Sequence, residues 1–224
     1  MTVAVMQPYF APYAGYFRLF SGADAVVMLD CVQFPRRGWV HRNRFPTASG
    51  ELDWLTLPLA KAPRDALISE LAVAPNALAR TREAMQRFPG LVAAERAAHP
   101  LLERVLDFGT GGVADYLCRL TADITAALGL PPPALRSSEL SIAAEFRGQA
   151  RILEICRRLG AERYVNLAGG GRELYDPAAF AAVGIELVFL TPYDGNPASI
   201  LSRLVSESAA DVVADIRRQT ILVP

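Results

Sequence analysis

Cysteine and histidine are scarce in this sequence, and their spacing excludes two kinds of site. The three cysteines stand far apart, at positions 31, 118 and 156, and the two histidines are His41 and His99. No CxxC pair occurs and no histidine lies at ligand spacing from a cysteine, so we expect neither a disulfide framework nor a metal centre. Cys118 and Cys156 fall at apolar positions of predicted helices, where a thiol usually belongs to the core.

An excess of charge and a long apolar run are also missing. The 23 Lys and Arg residues balance 23 Asp and Glu residues, which leaves no broad basic field for nucleic acid or anionic lipid. No apolar run reaches the roughly 18 residues that a membrane span needs. The opening residues 2–6 are too few, and lack the basic flank, for a signal peptide. We therefore expect a cytoplasmic, reduced protein that binds neither nucleic acid nor membrane.

Strand-like and helix-like segments alternate along the chain. Short apolar segments typical of buried strands occur at 2–6 and 25–29, and further strand-like segments occur at 134–138, 163–167 and 185–190, with an edge-like one at 54–59. Segments with apolar residues three or four positions apart, typical of helices, lie between them. This alternation predicts an α/β fold with a mainly parallel sheet and flanking helices. We expect one domain over residues 1–224, with a helical insertion at about 76–128.

Three more segments are assigned from the same patterns. Residues 67–73 are a strand candidate, residues 91–106 show the apolar spacing of one amphipathic helix, and a last helix is expected over about 197–213.

Chemically versatile side chains are concentrated directly after the second predicted strand. Residues 30–44 contain a thiol, an imidazole, four guanidinium groups, two carboxamides and a carboxylate. Polar groups at the end of a buried strand are poor core material and are typical of binding or catalytic sites. The sequence therefore places the candidate site in this segment.

Seven segments of the chain form a recognisable set: residues 6–17, Asp30-Cys31-Val32-Gln33, Gly38-Trp39-Val40-His41-Arg42-Asn43-Arg44, residues 54–59, residues 137–140, residues 169–175 and Leu201-Ser202. Together they resemble the WbqC-like family, whose members occur in polysaccharide and amino-sugar pathways. Cys31 stands where the family usually has a second aspartate, His41 where it has asparagine, and Arg36 where it has lysine. Near the end, Glu207 is the nearest carboxylate to the place of the family's usual aspartate.

These departures resemble the branch that contains the amide synthases of lincosamide antibiotic assembly. The resemblance implies an ATP-independent condensation enzyme that joins an amino acid, held as a thioester on an acyl or peptidyl carrier protein, to an amino sugar. It implies no bound cofactor, since the 4′-phosphopantetheine arm belongs to the carrier protein.

Four residues are the candidate catalytic groups. Cys31 is expected to accept the acyl group, although direct aminolysis of the carrier thioester stays open. His41, with an ordinary pKa of roughly 6.5, is the expected base. Glu207 is expected to act as an orienting acid or base, and Asp30 is expected either to orient His41 or to bind the sugar amine. The alternative for Cys31 is an apolar thiol at a strand end, and for His41 an imidazole in a loop. The alternative for Glu207 is a solvated carboxylate on a helix face. Asp30 could instead form a cap or an ion pair with a neighbouring arginine.

The remaining candidates would bind substrates. We expect aromatic, amide and glycine positions to contact the amino sugar or the acyl group: Gln7, Tyr9, Tyr13, Tyr16, Gln33, Trp39, Arg42, Asn43 and Gly170. Arg36, Arg37 and Arg44 are expected to hold the carrier protein or its phosphate. Packing of the aromatic turn and solvation of the arginines are the competing interpretations.

Two other functions stay open at this point. The strand, aromatic turn and helix at the start loosely resemble nucleotidylyltransferases, which would require ATP. Those enzymes use a His-x-x-His turn there, and Tyr13-Ala14-Gly15-Tyr16 lacks both imidazoles. A non-catalytic module that binds sugar or carrier protein is the third interpretation.

Overall fold

The chain folds around one parallel sheet with helices on both faces. The structure is a computed structural model that describes residues 1–169 and 171–224. Its strands are β1 (Thr2–Met6), β2 (Ala25–Met28), β3 (Arg42–Pro46), β4 (Leu52–Thr56), β5 (Leu135–Arg136), β6 (Arg163–Leu167), β7 (Glu186–Leu190) and β8 (Leu222–Val223). Its α-helices are α1 (Ala14–Gly22), α2 (Ala77–Met85), α3 (Pro89–Arg96), α4 (Pro100–Leu106), α5 (Val113–Ala127), α6 (Gly148–Arg158), α7 (Ala168–Leu174), α8 (Pro177–Ala181), α9 (Ile200–Leu204) and α10 (Ala209–Arg218).

The central sheet has the strand order β5-β2-β1-β6-β7-β8. Its pairs are parallel except for β8, which runs antiparallel to β7. The predicted α/β fold with a mainly parallel sheet and flanking helices is confirmed. From β1 the chain first adds β2 and β5 on one side, and then β6 and β7 on the other. The strand order therefore reverses between β1 and β6.

The burial of β1 on both faces explains its continuous apolar sequence. Val3 and Ala4 are fully buried and Val5 is 3% exposed. Because side chains alternate along a strand, Val3 and Val5 join a cluster with Ile152 of α6, whereas Ala4 joins a cluster with Phe17 of α1. Helices thus cover both faces, as parallel sheets require.

A separate antiparallel hairpin, β3–β4, supports the connection between β1 and α1. The backbone N–H of Phe10 in that connection donates to the carbonyl of Val40, 3.0 Å away. The Asn43 amide on β3 donates to the carbonyls of Phe10 and Ala11 at 3.1 and 2.9 Å. Strand structure was predicted at 54–59, whereas β3 was not predicted.

The predicted strand at 67–73 is wrong. Residues Ile68–Glu70 form a 3₁₀ helix, and only single bridges flank it, from Gln33 to Leu67 and from Leu59 to Val73. The Glu70 carboxylate accepts a hydrogen bond from the Leu67 N–H at 2.8 Å, which favours a turn over an extended strand.

Two predicted helices are each divided in two. Pro100 begins α4, and since a residue before proline avoids the helical region, His99 is extended and α3 ends before it. The predicted last helix is α9 followed by α10. Ser208 caps α10 by accepting from the N–H of Asp211 at 3.1 Å, so a new helix starts there.

Helices α2 to α5 occupy the segment where a helical insertion was predicted. Among the helices of residues 1–169 and 171–224, none is both long enough and apolar enough to cross a membrane.

Candidate functional site

A cavity of about 810 Å³ opens at the carboxyl ends of β1 and β6, where the strand order reverses. We call it the switch-point cavity. Met6 and Gln7 line it from the end of β1, and Asn166 and Leu167 line it from the end of β6. Open α/β sheets bind ligands at this position because the connections on either side of the reversal diverge and leave a crevice.

The wall of the switch-point cavity is aromatic and free of acid. Tyr9, Tyr13, Tyr175 and Tyr193 line it together with Arg18 and Arg172, and its described lining contains no Asp or Glu. Burial raises the pKa of Tyr9 and of Tyr13 above 10, so both phenols keep their protons at neutral pH. The cavity therefore offers aromatic faces and hydrogen-bond donors in positive surroundings.

The turn that carries Tyr9 and Tyr13 is held by two buried side chains. Ala11, between them, has a φ of 42°, which is uncommon for a residue with a side chain. Its carbonyl accepts from the Asn43 amide at 2.9 Å and from the Ser199 hydroxyl at 2.6 Å. These contacts support the strained turn and keep both tyrosines at the cavity wall.

The predicted substrate contacts of this region divide into three groups. Gln7, Tyr9 and Tyr13 line the cavity. Tyr16 is fully buried, and its hydroxyl donates to the carbonyl of Gln7 at 2.9 Å, so the prediction that it contacts a substrate is corrected. Gly170 lies outside the described residues.

Cys31 lies in a second opening, at the carboxyl end of β2. This Cys31 cleft, of about 580 Å³, is also lined by Gln33, Arg147 and Arg151. The Cys31 Sγ lies 2.9 Å from the Ser137 hydroxyl and accepts from Nη1 of Arg151 at 3.0 Å. Arg151 is 8% exposed and also donates to backbone carbonyls of the preceding loop, which fixes its guanidinium beside the sulfur.

Asp30 holds Ser137 in place beside Cys31. The carboxylate is fully buried and accepts from the Ser137 hydroxyl at 3.0 Å, the Ser138 N–H at 2.9 Å and the Ser138 hydroxyl at 2.7 Å. Its partners are neither His41 nor the arginines that the sequence analysis considered. Asp30 therefore ties the end of β2 to the 3₁₀ helix that follows β5.

His41 is not among the partners of Cys31. Its ring packs edge-on against Phe34, with centroids 5.0 Å apart, and its Nδ1 is buried without a hydrogen-bond partner in the described residues. Burial, reinforced by the charge of Arg42, lowers the pKa of His41 to about 4. The expected pKa of roughly 6.5 is corrected, because a half-buried imidazole without an acidic neighbour resists protonation.

Glu207 lies at a third place on the surface. It forms an ion pair with Arg203 at 2.7 Å, and Arg203 also binds Asp215 at 2.6 Å. Nη1 of Arg203 lies 3.3 Å from the Tyr193 hydroxyl, so this network reaches the back of the switch-point cavity. Glu207 does not line the cavity or the Cys31 cleft.

A surface stack combines three candidates of the predicted site, Trp39, Arg42 and Arg44, with Trp54. Trp39 and Trp54 have ring centroids 4.9 Å apart, and Arg42 lies over Trp54 at 4.2 Å. Arg44 lies over Trp39 at 5.4 Å. Trp39 is 36% exposed, so this stack faces solvent.

The other candidates of the segment differ in their contacts. Arg36 donates to the carbonyls of Ala62 and Pro63, both at 2.8 Å, and Gln33 donates to that of Arg64 at 3.1 Å. Arg37 is exposed. Asn43 is 1% exposed with its amide bound to backbone, so its predicted substrate contact is corrected.

Sequence reasoning did not identify four groups that complete the two openings. They are Ser137 and Arg151 at the Cys31 cleft, and Asn166 and Arg172 at the switch-point cavity. Ser137 and Arg151 are more than 100 residues from Cys31 in the chain. A usable signal was present, because Ser137 stands at the carboxyl end of the predicted strand at 134–138, and the carboxyl ends of parallel strands meet at the same edge of a sheet.

The described residues contain no group of three His, Cys, Asp or Glu side chains that could hold a metal ion.

Comparisons with known proteins identify the family of the chain. The uncharacterized protein Rv1507c of Mycobacterium tuberculosis (strain ATCC 25618 / H37Rv) is 39% identical over 57 residues, which is 25% of this chain and 24% of that protein. The match thus spans about a quarter of that relative. No solved structure matches. A sequence model of the WbqC-like protein family matches residues 7–197. The chain therefore belongs to the WbqC-like protein family.

Proposed function

We propose that this protein is an amide synthase, which transfers an amino-acyl group from a carrier-protein thioester to the amine of an amino sugar. The observation that carries this proposal is the pair of openings at one edge of the sheet. Leu29 lines the switch-point cavity and Cys31, two residues further on, lines its own cleft. A donor and an acceptor can therefore occupy neighbouring sites on either side of the end of β2.

In the first step, the sulfur of Cys31 attacks the thioester carbonyl of the carrier arm. A bond forms between that sulfur and the acyl carbon, and the bond to the carrier sulfur breaks. The proton of Cys31 leaves with the carrier thiol. The guanidinium of Arg151, 3.0 Å from the sulfur, suits a thiolate and the oxyanion that follows.

The Cys31 cleft also contains groups that attract the phosphate of a pantetheine arm. Arg147 lines it, and the N-terminus of α6 begins at Gly148, which lines it as well. Helix N-termini and arginine both favour phosphate.

In the second step, the sugar amine attacks the acyl group on Cys31. The nitrogen–carbon bond forms, the carbon–sulfur bond breaks, and the amine proton passes to the departing sulfur. The described lining of the switch-point cavity contains two arginines and no Asp or Glu, which disfavours an ammonium ion, so an amine bound there is kept neutral and nucleophilic. We assign no proton transfer to His41, because a base with a pKa of about 4 is poorly matched to neutral pH.

The test is intact-protein mass spectrometry with a purified aminoacylated carrier protein and no nucleotide. We expect the wild-type protein to gain the acyl mass, and the acyl group to pass to an added amino sugar as an amide. Cys31→Ala should remain unlabelled and lose about 100-fold or more in rate. The matched control is Cys118→Ala, which removes a thiol that does not line the cleft.

Two results would change the mechanism or the function. If Cys31→Ala keeps most of its activity, the carrier thioester is aminolysed directly. If product forms only with ATP, the protein acts as a nucleotidylyltransferase-like enzyme. The strand order favours that second candidate, since nucleotides commonly bind where such an order reverses. Release of pyrophosphate from ATP would identify it.

A further inference from the structure

The switch-point cavity has the position of a nucleotide site in the fold. In doubly wound sheets, nucleotides bind outside the carboxyl ends of the strands beside the reversal of strand order. The cavity lies there, between the ends of β1 and β6, and its volume of about 810 Å³ exceeds what one sugar ring fills. A ligand that fills it therefore has a second large portion beyond one ring.

The charge of the cavity wall favours an anion for that portion. Arg18 is 2% exposed, and three backbone carbonyls, those of Gly15, Gln219 and Thr191, accept its hydrogen bonds. It therefore contributes a fixed positive charge that no carboxylate of the described lining neutralises. Arg172 also lines the cavity and donates one hydrogen bond to the carbonyl of Pro224 at 2.8 Å, and a guanidinium has five N–H donors.

The aromatic side chains of the wall favour a flat ring. Tyr13 and Tyr193 meet edge to face, with centroids 5.5 Å apart. Gly15 allows this approach, because a Cβ there would overlap the Tyr13 ring and lie 2.9 Å from Cγ of Tyr193. Bases stack on such tyrosine faces, and this stacking is tolerant of base identity.

From these features we propose that the switch-point cavity binds a nucleoside diphosphate, with the base against the tyrosines and the phosphates near Arg172. The identification of this nucleoside diphosphate as part of a nucleotide-linked amino sugar rests on the proposed function. The binding of a nucleoside diphosphate to the cavity does not.

Isothermal titration calorimetry with the full chain tests this inference. UDP and ADP should both bind saturably, and uridine and glucose 1-phosphate should each bind about 10-fold more weakly than UDP. Arg172→Gln should weaken UDP about 10-fold and leave uridine unchanged, whereas Tyr13→Leu should weaken both. Arg217→Gln, which removes an exposed arginine that does not line the cavity, is the matched control and should change nothing.

Three outcomes would overturn the inference. They are no saturable binding of UDP or ADP at about 5 mM, binding unchanged by both Arg172→Gln and Tyr13→Leu, or 4′-phosphopantetheine binding as tightly as UDP. Circular dichroism of each variant shows whether it folds, and Tyr9→Trp provides a second aromatic probe, whose fluorescence UDP should quench. Because calorimetry requires no amide formation, loss of the proposed chemistry and loss of nucleotide binding give different results.

Discussion

At the scale of single side chains, the three cysteines occupy contrasting surroundings. Burial raises the pKa of Cys118 and of Cys156 to about 12, so only about one in ten thousand of these thiols is ionised at pH 8. Cys31 lines an open cleft and has a guanidinium 3.0 Å from its sulfur. The rate at which each thiol is alkylated should therefore distinguish Cys31 from the two buried thiols.

We predict that iodoacetamide at pH 8 labels Cys31 alone, as measured by peptide mass spectrometry. Arg151→Gln should slow this labelling roughly 10-fold, because the charge beside the sulfur is lost, whereas Arg151→Lys should retain most of the rate. Equal labelling of Cys118 would contradict the protection of that thiol by burial. No difference between the two Arg151 variants would contradict the assigned role of Arg151.

His41 makes the stability of the fold depend on pH. Its pKa is about 4 in the folded protein and about 6.5 in an unfolded chain, so the unfolded chain binds the proton first as pH falls. The free energy of unfolding should therefore decrease between about pH 6.5 and pH 4. Above pH 6.5 both states are neutral and the effect vanishes.

We predict that His41→Asn reduces this decrease, measured by urea unfolding at about pH 7.5 and about pH 4.5. The comparison at pH 7.5 is the control, because there the imidazole contributes no linkage. Identical pH dependence of the two proteins would show that the imidazole does not resist protonation in the fold.

At the scale of elements, the hairpin β3–β4 buttresses the turn between β1 and α1. The Asn43 amide is the main polar link, and its loss leaves the buried carbonyl of Phe10 without that donor. We predict that Asn43→Ala lowers the free energy of unfolding by about 2–3 kcal/mol. The measurement is urea unfolding at pH 7.5.

The matched control for this prediction is Asn76→Ala. Asn76 is exposed and precedes α2 without a side-chain capping bond, so its replacement should cost less than about 0.5 kcal/mol. A similar cost for the two variants would remove Asn43 from the support of the turn.

The elements themselves were predictable where a pattern repeats over several residues. The apolar segment at 2–6 coincides with β1, since a buried parallel strand requires an apolar run, and the strand-like segment at 163–167 coincides with β6. The breaks at Pro100 and Ser208 were missed because the apolar spacing continues across them. A proline and a capping serine override that spacing locally.

At the scale of the whole molecule, the two openings share an edge of the sheet but no lining residue. UDP, which lacks the sugar amine that would reach Cys31, should therefore leave the accessibility of the Cys31 cleft nearly unchanged. We predict that saturating UDP changes the rate of Cys31 alkylation by less than about twofold, whereas aminoacylated carrier protein suppresses it. Full protection of Cys31 by UDP would instead indicate one continuous site.

Periodicity and local composition, which act over a few residues, were enough to predict the α/β class, the buried parallel strands and the grouping of reactive side chains after β2. Which groups meet depends on how the strands are arranged in three dimensions. The tertiary structure pairs Cys31 with Ser137 and Arg151 rather than with His41, and it forms the switch-point cavity from both ends of the chain. Strand order causes this difference, because the strands that lie side by side in the sheet are far apart in the sequence.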